Sequence, residues 1–328
     1  MERGKTIAIL GTGGTIAGVA HSAGSSVGYR SAQLDIAQLL QAVPDLEDVA
    51  KAPLITEQIA QLDSKDMDHC TWRALAVRCA ELIERADIGG IVITHGTDTL
   101  EETAWFLQCV LPAAKPVVLT CAMRPATAIS ADGPGNLRDA VACAADRNAA
   151  GREVLVVANG VVFSARHVHK THPYRVEAFA SMDAGPAGWV EEAHVRWASP
   201  VQGLHRTPAM PPASALAAAQ QWPVVEMLYS HAGCNAEAAK AILQGLMEQG
   251  LRGLVVVGTG NGTIHCALEE ALQLAQNQGV AIRRTTRCEQ GQIVQSPLQD
   301  DSQVSYLPPA KARISLMLEL MGWPRTDR

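Results

Sequence analysis

Short apolar runs of β-type residues recur along the chain at positions 6–10, 90–94, 116–121, 153–158, 224–228 and 253–257. A strand buried on both faces reads as such a run, and the helix-length amphipathic segments at 35–42, 66–86, 98–110 and 136–145 alternate with these runs. That alternation predicts an α/β fold with a mainly parallel sheet flanked by helices. Length bounds the number of such units, since 328 residues at roughly 150 per domain make about two. Gly and Pro accumulate between positions 183 and 223, where strand signals are few. The chain therefore reads as a larger N-terminal α/β domain over 1–185, a linker over 186–222 and a smaller C-terminal α/β domain over 223–328.

Composition removes several classes of function. A chain that is 48% hydrophobic and 18% charged is too apolar to stay disordered. The formal net charge of −6, without a basic block, argues against a nucleic-acid partner, whose phosphates need clustered Lys or Arg. The eight Cys are scattered with no CxxC pair and no zinc-spaced Cys/His run, so free cytosolic thiols are expected rather than a metal knuckle or redox dithiol. No apolar stretch approaches the roughly 20 residues that span a bilayer, and the first apolar run, of about four residues, is too short for a secretory core. The expectation is a soluble cytoplasmic protein with neither a membrane nor a nucleic-acid partner.

Three strand ends run into Gly-rich turns, and the crevice beyond the carboxyl ends of parallel strands is where such sheets bind ligands. The first is Gly11-Thr12-Gly13-Gly14-Thr15-Ile16-Ala17-Gly18. A dinucleotide fingerprint would need Gly where Ile16 stands, and a P-loop would need Lys where Val19 stands, so both nucleotide readings fail. What remains is a turn in which backbone N–H groups can approach a ligand beside the hydroxyls of Thr12 and Thr15, or a plain tight turn. The second is His95-Gly96-Thr97-Asp98-Thr99-Leu100-Glu101, where Asp98 and Glu101 resemble a capping box. The same geometry sets Thr97 at a helix N-terminus, which favours developing negative charge, while His95 reads as a packed or backbone-bonded histidine. The third is Gly258-Thr259-Gly260-Asn261-Gly262-Thr263, whose Asn reads locally as a turn residue bonding its own backbone. Asp132, Asn136 and Arg124 read as loop and cap residues.

Lys170 lies in the polar stretch Arg166-His167-Val168-His169-Lys170-Thr171-His172. Of the 27 basic residues only those at 5, 51, 65, 115, 170, 240 and 311 are Lys, and Lys, unlike Arg, can lose its proton when desolvated. Lys170 is thus a catalytic candidate or a solvated loop residue. The nearby histidines lack a carboxylate that would complete a metal set, and no metal is expected.

Taken together, these motifs resemble the bacterial-type L-asparaginase/glutaminase family. The resemblance is carried by Thr12 to Gly18, by Ile93 to Ala104, by Ala122-Met123-Arg124-Pro125 with Ser130-Ala131-Asp132-Gly133-Pro134, by Lys170-Thr171, by Gly260-Asn261-Gly262 and by Pro309 to Arg313. It implies hydrolysis of L-asparagine to L-aspartate and ammonia, with some activity on L-glutamine, and no cofactor. Thr15 falls on the family's nucleophile and Tyr29 on the tyrosine that hydrogen-bonds it. Thr97, Asp98 and Lys170 fall on the second threonine and its partners, Asp98 also meeting the substrate ammonium. Gly14, Ser64 and Ala122 fall on substrate-binding positions, Ser64 holding the α-carboxylate. Asn261 falls on an asparagine that a neighbouring subunit contributes, so the resemblance implies a homodimer or a dimer of dimers.

Two departures stand out. Lys65 occupies a position where the family commonly has Gln or Glu, and a lysine facing an ammonium would repel it, so either Lys65 points away or Asp66 and Asp98 bind the substrate ammonium instead. The segment Gln299-Asp300-Asp301-Ser302 is shorter than the family pattern, and no second-subunit carboxylate is assigned there. Two alternatives accompany the reading: an amidohydrolase leaning toward glutamine, and a non-catalytic amino-acid-binding protein on the same fold.

Overall fold

The computed structural model describes residues 4–22, 24, 27–200, 211, 213–219, 221–295 and 303–327. The chain divides into two compact units, the first holding the described residues up to Ala218 apart from Pro211, the second Pro211 and the chain from Ala219.

In the first unit β1 (Thr6–Gly13) leads through α1 (Ile36–Gln41) and α2 (Leu46–Ala50) to β2 (Leu54–Leu62). Then come α3 (His69–Glu84), β3 (Ile88–Thr94), α4 (Leu100–Val110), β4 (Val117–Thr120), α5 (Gly133–Ala145) and β5 (Leu155–Ala158). These five strands run parallel, and their order from the edge is β2-β1-β3-β4-β5. Strands β6 (Val161–Ser164), β9 (Gly188–Glu191) and β10 (His194–Trp197) extend the sheet antiparallel beyond β5, while β7 (His169–Lys170) and β8 (Phe179–Ala180) form a separate two-stranded ladder. Helix α6 (Ala213–Ala218) closes the unit. The apolar runs behave as expected of strands covered on both faces: Ile91, Val92, Ile93, Val118, Leu119, Leu155, Val156 and Val157 are fully buried.

The segment read as a linker needs correction. Residues 188–197 are a β-hairpin of the first sheet, with Glu192 and Ala193 at φ 48° and 60° between the paired Glu191 and His194. A two-residue turn with both residues left-handed usually announces itself as Asn-Gly, and Glu-Ala hides it. Positions 201–210, 212 and 220 of that segment lie outside the described residues.

The second unit repeats the α/β plan. Parallel strands β11 (Val224–Tyr229), β12 (Leu251–Gly258) and β13 (Ala281–Thr286) pair in that order and alternate with α7 (Ala236–Glu248) and α8 (Cys266–Asn277). One core gathers Leu243, Leu254, Val256, Leu268, Leu272 and Ile282. Helix α9 (Pro309–Leu320) brings Leu316 and Leu320 against Gly253 of β12.

Candidate active site

In an open parallel sheet the chain leaves neighbouring strands in opposite directions where the strand order reverses, and the order β2-β1-β3 puts that point between β1 and β3. The first two Gly-rich turns leave from the carboxyl ends of these two strands, tied by the Thr12 hydroxyl donating to Thr94 O at 2.9 Å. Backbone packs on backbone here. A Cβ on Gly14, whose φ is 83°, would stand 2.3 Å from both the nitrogen and the Cα of Gly96, and one on Gly96 would stand 2.4 Å from Ser64 Oγ. Only glycine permits either approach.

Those contacts bring three turns together. Thr15 opens a 3-10 turn after β1, is 6% exposed, and its Oγ1 lies 2.6 Å from Tyr29 Oη. Tyr29 comes from a loop closed at its base by paired backbone hydrogen bonds between Val19 and Arg30. Ser64 opens the 3-10 turn after β2, and its Oγ accepts the Asp98 N–H at 3.2 Å while its carbonyl accepts the Thr99 hydroxyl at 2.7 Å. Lys170, on β7, donates from Nζ to Thr97 Oγ1 at 2.8 Å and to Asp98 Oδ1 at 2.6 Å. Ala122 is buried just beyond the carboxyl end of β4, next to β3 in the sheet. Every predicted site residue of the first unit except Ala122 thus touches another or lies beside one that does. Among the described residues no group of three or more His, Cys, Asp or Glu side chains could hold a metal ion.

Asn261 lies in the second unit. Its amide bonds not its own turn, as local reading expected, but the backbone of Val294, donating to the carbonyl and accepting from the N–H, each at 2.7 Å. Positions 23, 25, 26 and 299–302 lie outside the described residues.

Lys65 does point to carboxylates of its own turn: Nζ sits 2.9 Å from Asp63 Oδ2 and 3.1 Å from Asp66 Oδ2, with the side chain 61% exposed. Partial burial would raise the Asp63 pKa, but hydrogen bonds from Lys65 and Ser31, with the Lys65 charge, hold the carboxyl below its ordinary value. The cation that fits the family least well is neutralised locally. Arg124 and Asp132 keep the loop roles read from sequence, Arg124 reaching Ser130 and Asp132 accepting the N–H groups of Met123 and Arg124.

His95 is fully buried, and its hydrogen bonds define its state. Trp72 Nε1–H donates to Thr103 Oγ1 at 2.9 Å, the Thr103 hydroxyl donates to His95 Nε2 at 2.9 Å, and Nδ1–H is left to donate to Gly96 O at 2.7 Å. Burial pushes its pKa down to about 4.

The capping-box reading is overturned. The N-cap of α4 is Thr99, without a side-chain cap, and Asp98 turns to Lys170 instead. Glu101 faces β7, accepting the Lys170 N–H at 2.6 Å and His169 Nδ1–H at 3.0 Å. No signal near Glu101 in the sequence could have revealed partners about 70 positions away.

Family models match both units: "Asparaginase, N-terminal" over residues 6–202 and "Glutaminase/Asparaginase C-terminal domain" over 224–323. The chain belongs to the asparaginase family. Its relatives include L-asparaginase 2 of Escherichia coli (strain K12), 38% identical over 323 residues, covering 96% of this chain and 88% of that protein. The glutaminase-asparaginase of Pseudomonas fluorescens biotype A is also 38% identical, over 324 residues, covering 96% of this chain and 86% of its own. The crystal structure of the probable cytoplasmic L-asparaginase from Campylobacter jejuni superposes with a TM-score of 0.89 at 39% identity, covering 99% of this chain and 96% of that one. The α/β architecture of this family member is therefore that of a solved asparaginase.

Proposed function

We propose that this protein hydrolyses L-asparagine to L-aspartate and ammonia through an acyl-enzyme on Thr15. One observation carries the reading: two buried threonine hydroxyls, each in hydrogen-bond contact with a titratable side chain, stand on adjacent turns whose glycine backbones touch. A threonine hydroxyl is a weak nucleophile without a proton acceptor at hand. In this reading Thr15 Oγ attacks the amide carbon while its proton passes to Tyr29 and the Tyr29 proton passes to the amide nitrogen, which leaves as ammonia. Backbone N–H groups around Gly14 and Thr97 stabilise the oxyanion. Water, activated near Thr97 and Lys170, then cleaves the ester, and its proton restores the Thr15 hydroxyl.

Ser64 holds the α-carboxylate, and Asp98, with its side chain 52% exposed and already paired to Lys170, receives the α-ammonium. Ala122 lines the site. Asn261 serves the site of a neighbouring copy, which makes a homodimer the smallest active assembly and a dimer of dimers the full one. A cytoplasmic location belongs to the same proposal, supported by the Campylobacter jejuni neighbour, described as probable cytoplasmic.

Thr15→Val removes the hydroxyl at nearly constant volume, and kcat for L-asparagine should fall at least about a thousandfold with the fold intact by circular dichroism. Full turnover by that variant would overturn the nucleophile assignment. The Pseudomonas fluorescens relative supports a second substrate, L-glutamine. One methylene in a pocket is worth only about 1–3 kcal/mol, so kcat/KM for L-asparagine, L-glutamine and D-asparagine measured side by side ranks them. Absence of ammonia release from all three would favour a binding protein on this fold.

A further inference from the structure

Glu101 is a carboxylate only 8% exposed that the hydrolytic reading leaves unused. Both of its oxygens face β7: one accepts the main-chain N–H of Lys170 at 2.6 Å and the other the imidazole Nδ1–H of His169 at 3.0 Å. Strand β7 needs such an anchor. It is two residues long and pairs with an equally short β8, and a ladder of that size does not hold a side chain in place by itself. Thr97 and Asp98, in contrast, lead directly into α4, whose first turn carries Glu101. The contacts close a ring: from Thr97 into α4, from Glu101 to the Lys170 backbone, and from Lys170 Nζ back to Thr97 Oγ1 and Asp98 Oδ1.

We infer that Glu101 is a positioning residue for Lys170, fixing the lysine main chain to the first turn of the helix that Thr97 and Asp98 lead into, so that Nζ lands between the Thr97 hydroxyl and the Asp98 carboxylate. The inference rests on the reading that Lys170 takes part in hydrolysis. A hydrogen bond from backbone N–H to an ionised carboxylate is about twice as strong as a neutral one, which suits it to tethering a short strand. His169 adds a second tether one residue earlier. What the pair secures is distance, and displacement of a catalytic group by about 1 Å costs on the order of a hundredfold in rate.

The test uses the full-length enzyme and L-asparagine. Glu101→Ala should lower kcat about a hundredfold and leave KM within about threefold. Glu101→Gln keeps the reach of the side chain and an oxygen for the Lys170 N–H, and should stay within about tenfold of wild type. Glu101→Asp keeps the charge but is one methylene shorter, and should be slower than Glu101→Gln. In a Lys170→Ala background, Glu101→Ala should add less than about twofold, because residues acting as a unit are not additive. An Asp variant as fast as the Gln variant would overturn the inference, as would an additive double variant. Should Glu101→Ala fail to fold, the order of the Gln and Asp variants and Glu101→Asp in the Lys170→Ala background decide the same question. Wild-type turnover by Lys170→Ala would remove the catalytic reading and the inference with it. An impaired Lys170→Ala beside fully active Glu101 variants would leave the reading standing and overturn the inference alone.

Discussion

At the scale of single residues, His95 shows how burial turns a titratable group into a structural one. Its two ring nitrogens are engaged by Thr103 and by the Gly96 carbonyl, an arrangement that suits the neutral ring and anchors the peptide entering Thr97. In the unfolded chain its pKa is near 6.5, and in the folded protein it is pushed down to about 4, so between these values only the unfolded state binds the proton. Stability from this group is therefore complete above about pH 6.5 and is lost as pH falls toward about 4, by about 3 kcal/mol in total. Asp139 works in the opposite sense, since burial raises its pKa to about 6 and its contribution is lost as pH rises from 3.8. Comparing wild type with His95→Gln cancels that background. Urea unfolding at pH 7.5 and 4.5 should show the wild type losing about 2–3 kcal/mol more than the variant, and equal losses would refute the assignment. The packed reading of His95 was available from its place in a turn after a buried strand. The Trp72–Thr103 side of its hydrogen-bond chain was not.

At the scale of elements, two of the predicted helices begin where a side chain near in sequence supplies the cap. Asp35 and Gln38 form a reciprocal capping box at α1, and Asp68 accepts the Thr71 N–H at α3, so the helices predicted at 35–42 and 66–86 stand at Ile36–Gln41 and His69–Glu84. The start of α4 misled because its acidic residues answer to partners elsewhere in the fold. The β9–β10 hairpin was lost for a related reason. Left-handed Glu192 and Ala193 each carry a Cβ penalty of about 1 kcal/mol that Asn-Gly would relieve, and the pairing of the flanking strands holds them there. Glu192→Asn with Ala193→Gly should stabilise the protein by about 1 kcal/mol, read as a higher urea midpoint at unchanged slope. A lower midpoint would show that the wild-type side chains contribute more than the backbone loses.

At the scale of the whole molecule, the family match spans both units, yet the residues proposed for one reaction are divided between them: Thr15, Tyr29, Ser64, Thr97, Asp98 and Lys170 in the first, Asn261 in the second. Subunit complementation tests whether Asn261 serves another copy. Thr15→Val and Asn261→Ala proteins, each inactive alone, should on unfolding and refolding as an equal mixture recover about a quarter of wild-type activity, because half of the dimers then contain one intact site of two. No recovery, with mixed oligomers verified by mass, would place Asn261 in the service of its own chain. The experiment also reports the smallest active assembly.

The apolar runs and their spacing sufficed for the α/β class and for six of the eight described parallel strands, because a short apolar run marks each of them locally, whereas β2, half-buried or exposed along its length, and β13, whose buried residues are interspersed with half-buried ones, left no such run. The Gly-rich turns after β1 and β3 were equally visible, since close backbone approach at Gly14 and Gly96 permits no side chain. Tertiary structure alone decided that Lys65 spends its charge within its own turn, that Glu101 anchors β7 rather than capping α4, and that residues 188–197 complete the first sheet. Sequence shows which groups a segment carries. Which partner a charged or polar group takes depends on what the fold brings within about 3 Å of it, and for Glu101 that partner lies a whole βαβ crossover and a hairpin further along the chain.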